Sequence, residues 1–477
     1  MLPTIMRDRN IVSRYAGDIR VWIGLFFLLH LTTITLPPLE PASTWRQTDG
    51  LMVARNFYEV DSNIMYPRVD VGGDRTGIVG CEFPFLNYII YLISLLFGYQ
   101  HWYGRLVDLI VSSVGVFFLY RLIKEYVDEK TALLTGIIVL CSQWFTYCRT
   151  NIPDTFSTSL CIIALYYGIR YLYDGRYYRL AIYLVLGLLG CMNKISVASI
   201  LTVMAIPFLQ KGVALDRKVW IGAASILILG AVFAWYFVWV PHLNETYGFG
   251  EHFFMGLPLE EGVRQIIVLW QPTLKRFVVT PFKYSGFVLF LFGLFVMIRG
   301  KMRIRLLAFA LPFFSYLIVV LKSGYGFQLN PYYVIAFIPP MAFVIATGLA
   351  SIEKSWIVVV LMLVIAGEGI GNQFHIFSIR EPARSMAGIE SVLDQYTDRA
   401  DLIVINGTIG GDPTPMYFAH RKGITIGNAE LDDPSYKDRF SKAGIKYVVI
   451  LPKMYGDVQP ALPLVADTGY VRIYRME

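Results

Sequence analysis

The sequence predicts an α-helical polytopic membrane protein, with interfacial helices beside the membrane and a small α/β soluble domain at its C-terminal end. Three observations predict it. The 477 residues are 56% hydrophobic and 16% charged, whereas soluble domains run at about 45–50% apolar and about 25% charged. Apolar stretches of near-spanning length recur from residue 20 to residue 371, and a helix needs about 20 such residues to cross the hydrocarbon core. Beyond residue 378 those stretches stop, and short β-branched runs alternate with polar helical ones.

The candidate spans run 20–36, 104–124, 131–148, 155–173, 180–192, 195–210, 219–240, 282–298, 305–321, 331–350 and 356–371, about eleven transmembrane helices. A further apolar run, FPFLNYIIYLISLLFG at 83–98, is ambiguous by hydropathy, and the cations decide it. Arg170, Arg176 and Arg179 share one loop. Lys211, Arg217 and Lys218 share the loop two further on, and Arg299, Lys301, Arg303 and Arg305 the loop two after that. Clustered cations mark cytoplasmic loops. By parity Arg121, Lys124, Lys130 and the basic N-terminus join them. Only two crossings then fit before Lys124, so 83–98 lies along the outer interface or re-enters it.

The N-terminus is thus expected in the cytoplasm and the C-terminus outside. The first apolar stretch has no clear small-residue cleavage site and reads as a retained helix. Residues 1–377 form a transmembrane module with outer loops at 37–103 and 241–281, and residues 378–477 an extracytoplasmic α/β domain. Its expected strands are LIVIN (402–406), ITI (424–426), KYVVIL (446–451) and YVRIY (470–474), with a helix over SYKDRFSKAG. GTIGG at 407–411 lacks the GxGxxG spacing and reads as a loop. The net charge of +7 is assigned to cytoplasmic loops and not to nucleic acid. Five cysteines with no CxxC pattern argue against a disulfide framework and a structural zinc site.

Ionisable residues gather in the outer loops. WRQTD, at 45–49, carries Arg46 and Asp49 just after the first span. Glu82 precedes the interfacial run. CRTNIPDT carries Arg149 and Asp154, CMNKIS carries Lys194, and LKSGYGFQ carries Lys322 and Tyr325. Each has a local reading. Asp49 can pair with Arg46 on one helical face, Asp154 after Pro153 can cap the fourth span, Glu82 can cap the interfacial helix, and Lys194 can snorkel. Within a span, Asp108 is expected to pair with Arg105. Taken together, cations and carboxylates at one interface suit an amphiphile with an anionic head.

A sugar joined through phosphate to a long isoprenoid is such a ligand. Its phosphate needs cations, for which Arg offers a bidentate fork. An acceptor hydroxyl is a poor nucleophile near neutral pH, and a carboxylate must take its proton, a contribution of about 10²–10⁴-fold. The lipid phosphate is the leaving group, so no nucleotide and no cofactor is required, and a divalent metal has no support in the sequence.

WRQTDGLMVARNFYEVDSNIMYPRVD resembles the first-loop signature of GT-C class membrane glycosyltransferases. Within that class it is most similar to the branch of protein O-mannosyltransferases and lipid A aminoarabinose transferases. RTNIPDT and MNK resemble that branch's second-loop Arg and Asp and its Lys after the fifth span, and NPYYVIAFIPP, with Tyr332, a late tyrosine–proline stretch. The resemblance covers about residues 20–350. It implies a polyprenyl-phosphate-sugar donor and inverting transfer on the outer face to a glycan, lipid or protein acceptor, in a bacterial inner membrane. It further implies Asp49 as the base, Asp154 near the donor, and Arg149 and Lys194 near the lipid phosphate. Arg46, Glu82, Lys322, Tyr325 and Tyr332 are expected to line the substrate sites. The chain departs from the aminoarabinose pattern at Phe83, where a Lys is usual, and from the mannose pattern at Gly50, where an acid is usual. Neither sugar is therefore implied. A lipid-sugar flippase, which would show paired halves and midplane charges, and a non-catalytic envelope scaffold are the alternatives.

Overall fold

The computed structural model describes residues 15–41, 43–248, 256–408, 412–431, 433 and 435–476. The basic stretch before Tyr15, part of the second outer loop and residues 409–411 of GTIGG lie outside the described residues. The chain forms two compact units. One gathers Met1–Ile34, Arg105–Phe237 and Phe254–Phe374; the other gathers Thr35–Gly104, Val238–Phe253 and His375–Glu477.

The first unit is helical, as an apolar environment demands, because only internal hydrogen bonding satisfies a backbone in hydrocarbon. Every expected span overlaps described helix. Among the described residues, five helices are long and apolar enough to cross a membrane unaided: Tyr103–Tyr126, Leu215–Tyr247, Trp270–Arg299, Arg303–Ser323 and Pro331–Ala350. Ser355–Gly371 makes a sixth if the bent segment after it continues the span, and Ile19–Leu31, Tyr177–Asn193 and Ile195–Phe208 are shorter apolar helices. Pro153–Asp174 and Pro331–Ala350 are buried along nearly their whole length, whereas Leu215–Phe233 exposes Ile226, Leu227 and Leu229. Gly348 and Gly293 meet where two helices cross; a Cβ on Gly348 would lie 2.7 Å from Gly293 Cα, so only small residues permit that approach.

Trp270–Arg299 is broken at Lys283 (φ 58), two residues after Pro281. The break frees backbone N–H groups. Glu368, on Ser355–Gly371, accepts from Ser285 N at 2.9 Å and Tyr284 N at 3.3 Å. That carboxylate, to which the sequence assigned no role, acts as the cap of the restarted helix.

The second unit is built on a five-stranded sheet. Its strands are β1 (Leu402–Asn406), β2 (Gly423–Ile426), β3 (Ile445–Ile450), β4 (Leu464–Asp467) and β5 (Arg472–Arg475). The order is β2-β1-β3-β5-β4; β2, β1 and β3 are parallel, and β5 and β4 add antiparallel. The four expected strands are present within two residues. β4 was missed because it is a short edge strand with one buried residue, so it carries no apolar alternation.

The stretch between the first two long apolar segments, residues 37–103, packs into this unit. The Thr44–Glu59 helix buries Leu51, Met52, Val53, Ala54 and Phe57 in one core with Ile403, Ile405, Met416 and Val449. Arg55 donates to Asp70 at 2.8 Å and to the Tyr417 carbonyl at 2.9 Å. Gly72 N and Gly73 N both donate to Gly423 O, and Gly423 N to Asp70 O, extending the sheet at β2. The Phe85–Phe97 helix packs Ile90 and Tyr88 against Phe57 and exposes Leu92, Leu95, Leu96 and Phe97 on its other side. Thirteen residues long, it covers about 20 Å at 1.5 Å per residue, short of the roughly 30 Å hydrocarbon core.

Candidate active site

Most of the sequence-selected residues fall in two clusters, one in each unit. In the sheet-bearing unit, WRQTD opens the Thr44–Glu59 helix after Ser43, whose φ of 53 turns the chain sharply into it. One turn of helix sets Arg46 beside Asp49, and the guanidinium donates to Asp49 Oδ2 at 2.8 Å. Its other nitrogen donates to Glu82 Oε2. The local Arg46–Asp49 pair is therefore real, and it is half of a bridge that links two carboxylates 33 residues apart in sequence. Glu82 does not cap the interfacial helix, whose N-cap position is Pro84; the Arg46 fork takes the carboxylate instead. Burial, with the charges of Glu82 and Asp49 beside it, pushes the Cys81 thiol well above its usual range, so this cysteine stays protonated. Asn87 ties its amide to Gly50 O, and Thr48 meets Thr414 Oγ1 at 3.2 Å, which fixes the helix on both sides.

In the helical unit, Pro153 occupies the first turn of Pro153–Asp174 with Asp154 next to it. The cap position is Ile152, so Asp154 is not the N-cap expected of it. Its carboxylate instead faces Lys194 Nζ at 3.5 Å, with side-chain exposures of 2% and 9%. Lys194 is too buried to snorkel. It closes the Tyr177–Asn193 helix in extended conformation (φ −155), which turns its side chain back into the bundle. The ammonium lies over the rings of Tyr332 at 5.4 Å and Tyr333 at 4.9 Å, within cation–π range. Tyr333 was not singled out from the sequence. The tight helical turn over Pro331–Phe337 spreads adjacent side chains by about a third of a circle, so both rings of the Tyr–Tyr pair reach one cation. Tyr316 hydroxyl donates to Tyr333 O and steadies that turn.

Arg149 is buried and donates to Thr33 O at 3.1 Å. Asp108 does not pair with Arg105. It accepts from Thr155 Oγ1 at 2.7 Å, and Thr155 is the neighbour of Asp154. The other Asp108 oxygen is buried with no hydrogen-bond partner among the described residues. Lys322 and Tyr325 lie apart from Lys194: Lys322 Nζ donates to Leu257 O at 2.9 Å, and Tyr325 N donates to Gln265 Oε1 at 2.9 Å. The Tyr325 bond fastens the Leu259–Val268 helix, and the Lys322 bond the chain two residues before it. Among the described residues no three His, Cys, Asp or Glu side chains group in a metal-binding arrangement.

Comparison with known proteins gives these clusters a context. Residues 82–239 match the family model for dolichyl-phosphate-mannose-protein mannosyltransferases, a match that takes in Glu82, Asp108, Arg149, Asp154 and Lys194. The fold superposes on ArnT from Cupriavidus metallidurans bound to undecaprenyl phosphate with a TM-score of 0.64, at 13% identity over 96% of this chain and 98% of that one. It superposes on the Archaeoglobus fulgidus oligosaccharyltransferase, in complex with Zn and sulfate, with a TM-score of 0.52, at 13% identity over 92% and 68%. A 95-residue stretch is 33% identical to GPI alpha-1,2-mannosyltransferase 3 of Bos taurus, covering 18% of this chain and 17% of that protein. The chain thus matches less than a fifth of the length of these curated relatives. The chain thus shares its fold with ArnT and with the oligosaccharyltransferase, while the family-model match begins at Glu82, after the WRQTD stretch.

Proposed function

We propose that the protein is an integral-membrane glycosyltransferase that moves a sugar from a polyprenyl-phosphate carrier to an acceptor hydroxyl on the outer face of a bacterial inner membrane. The observation that carries the reading is the Lys194 ammonium, nine-tenths buried, set beside the Asp154 carboxylate and over two tyrosine rings. Burying such a charge costs several kcal/mol, which the Asp154 carboxylate offsets, and a cation so held offers a fixed partner to a further anion. A lipid phosphate is an anion that reaches a membrane protein at this depth, and the undecaprenyl phosphate bound to ArnT is of that class.

The transfer proceeds by one displacement. The acceptor oxygen attacks the anomeric carbon, the bond from that carbon to the phosphate oxygen breaks, and the electron pair leaves with the polyprenyl phosphate. Asp49 takes the hydroxyl proton, held for that task by Arg46. Lys194 and Arg149 take the phosphate charge, and Asp154 orients the sugar. Arg46, Glu82, Lys322, Tyr325 and Tyr332 shape the substrate sites, and no cofactor enters. In this reading about eleven helices cross the membrane, the N-terminus is cytoplasmic, and the sheet-bearing unit lies outside with the Phe85–Phe97 helix along the interface.

The test is mass spectrometry of lipids that purify with the detergent-extracted protein, wild type beside Asp49→Asn. A polyprenyl phosphate bearing a sugar, enriched in the variant, is expected and names the donor. Unchanged transfer by Asp49→Asn would remove the mechanism.

A further inference from the structure

The helical unit contains a cavity of about 270 Å³ that the transfer reaction does not use. Its walls are almost wholly apolar, and its two ends differ. Ile162, Ile200 and Pro339 close one end and are buried. Tyr126, Tyr173, Gln210 and Ile304 line the other end and are exposed. From Ile162 to Tyr173 the Pro153–Asp174 helix rises roughly 16 Å at 1.5 Å per residue, about half of the ~30 Å hydrocarbon core. The cavity is therefore blind, apolar and one leaflet deep.

Cations mark the open end. Lys211 follows Gln210 and Arg303 precedes Ile304; both are exposed, and neither side chain makes a hydrogen bond or ion pair among the described residues. Other charges near this end are already matched: Arg170 with Glu125, Arg179 with Asp174, Arg305 with Asp128 and Lys124 with Glu129. Lys218 and Arg217 donate to the carbonyls of Gln210 and Tyr173. Asp216 is the remaining exposed carboxylate nearby, so the mouth is left with an excess of positive charge.

We propose that this cavity holds one acyl chain of an anionic phospholipid drawn from the leaflet at the basic face, with its headgroup at Lys211 and Arg303. The isoprenoid tail of a donor is a poor occupant. Asp154 lies eight residues before Ile162 on the same helix, beyond the closed end, so a tail anchored at Lys194 would have to pass through Ile162 and Ile200. The inference does not depend on the transferase reading. It gives the broken Ile195–Phe208 segment, which alternates tight and regular helical turns, a lipid chain as part of its packing.

The experiment reconstitutes the full chain in phosphatidylcholine vesicles doped with phosphatidylglycerol carrying a mid-chain diazirine, with the matching phosphatidylcholine probe in parallel. Phosphatidylglycerol is expected to label peptides from 119–127, 162–173 and 200–210. Ala308→Trp, which fills the wall, should abolish that labelling. Lys211→Gln and Arg303→Gln should each lower it about fivefold, the factor for one cation near an anionic headgroup, and leave phosphatidylcholine labelling unchanged. These exposed substitutions keep the test decisive if Ala308→Trp fails to fold. Equal labelling by both phospholipids, or labelling untouched by the substitutions, would overturn the proposal. So would labelling of the same peptides by a tail-diazirine polyprenyl phosphate and not by phosphatidylglycerol.

Discussion

Each unit holds a cation against carboxylate, and the two arrangements differ in burial and in balance. Arg46 serves two acids, Asp49 and Glu82, at side-chain exposures of 22%, 21% and 16%. Lys194 faces Asp154, at 9% and 2%. The first cluster sets two carboxylates on one guanidinium and is partly exposed, which suits a group that accepts a proton. The second lies almost without solvent. Its 3.5 Å separation exceeds the roughly 2.7–2.9 Å of a tight charge-assisted bond, so the Lys–Asp contact is loose where the Arg46 bridge is tight. A rigid fork positions carboxylates; a buried ammonium over two aromatic rings suits an anionic ligand.

The sharpest test of that contrast compares two isosteric changes. Asp49→Asn should cut turnover by about 10²–10⁴-fold with little change in melting temperature. Asp154→Asn strips the buried ammonium of its carboxylate, and should cost about 3–5 kcal/mol of stability as well as activity. Turnover and thermal unfolding measured on both variants decide it, and equal stability losses would break the comparison. Next in size is Arg46. Arg46→Gln leaves Asp49 and Glu82 facing each other and should lower turnover about tenfold, while Arg46→Lys recovers only part because an ammonium lacks the planar fork.

A smaller effect separates the sheet-bearing unit by its pH response. His420 donates from Nε2 to Glu59 on the first-loop helix and from Nδ1 to Glu390, each at 2.7 Å. Burial opposes the imidazolium, but these two carboxylates outweigh it and raise the pKa of His420 above its ordinary 6.5. Burial acts on Glu59 in the opposite sense, yet the His420 bond holds it below its ordinary 4.5, and the same bond lowers Glu390. Arg399 also faces Glu390 and His420, and Arg55 and Tyr417 lie on the same side. A raised imidazole contributes stability fully below about pH 6.5 and loses it as pH rises through the folded value; lowered carboxylates contribute above about pH 4.5 and lose it on acidification. The stability difference between wild type and His420→Gln should therefore be largest, at about 1 kcal/mol after solvent screening, between those limits. Differential scanning fluorimetry across pH 4–8 checks it, and a difference that grows above pH 7 would contradict the clamp. The smallest expected effect is Glu368→Ala, which uncaps the helix restarted after Lys283 and should cost about 1 kcal/mol, read as a lowered melting temperature with turnover retained.

The sequence by itself determined the local periods. Apolar runs of spanning length, LIVIN and KYVVIL as strands, SYKDRFSKAG as a helix and the Arg46–Asp49 spacing are all set within windows of a few turns, where backbone geometry leaves two periodicities to read. The candidate residues were legible because charges in apolar surroundings stand out. Only the tertiary structure decided their partners. Glu82 reaches Arg46 across 36 residues, Tyr333 reaches Lys194 across 139, and Glu368 reaches Ser285 across 83. The tertiary structure likewise joined the first outer loop to the β2 strand at Gly423. Such pairings follow from which surfaces close-pack once the chain has collapsed, and no local pattern encodes them; a residue with a sound local role, such as Asp154 at a helix start, is reassigned whenever a distant charge packs beside it.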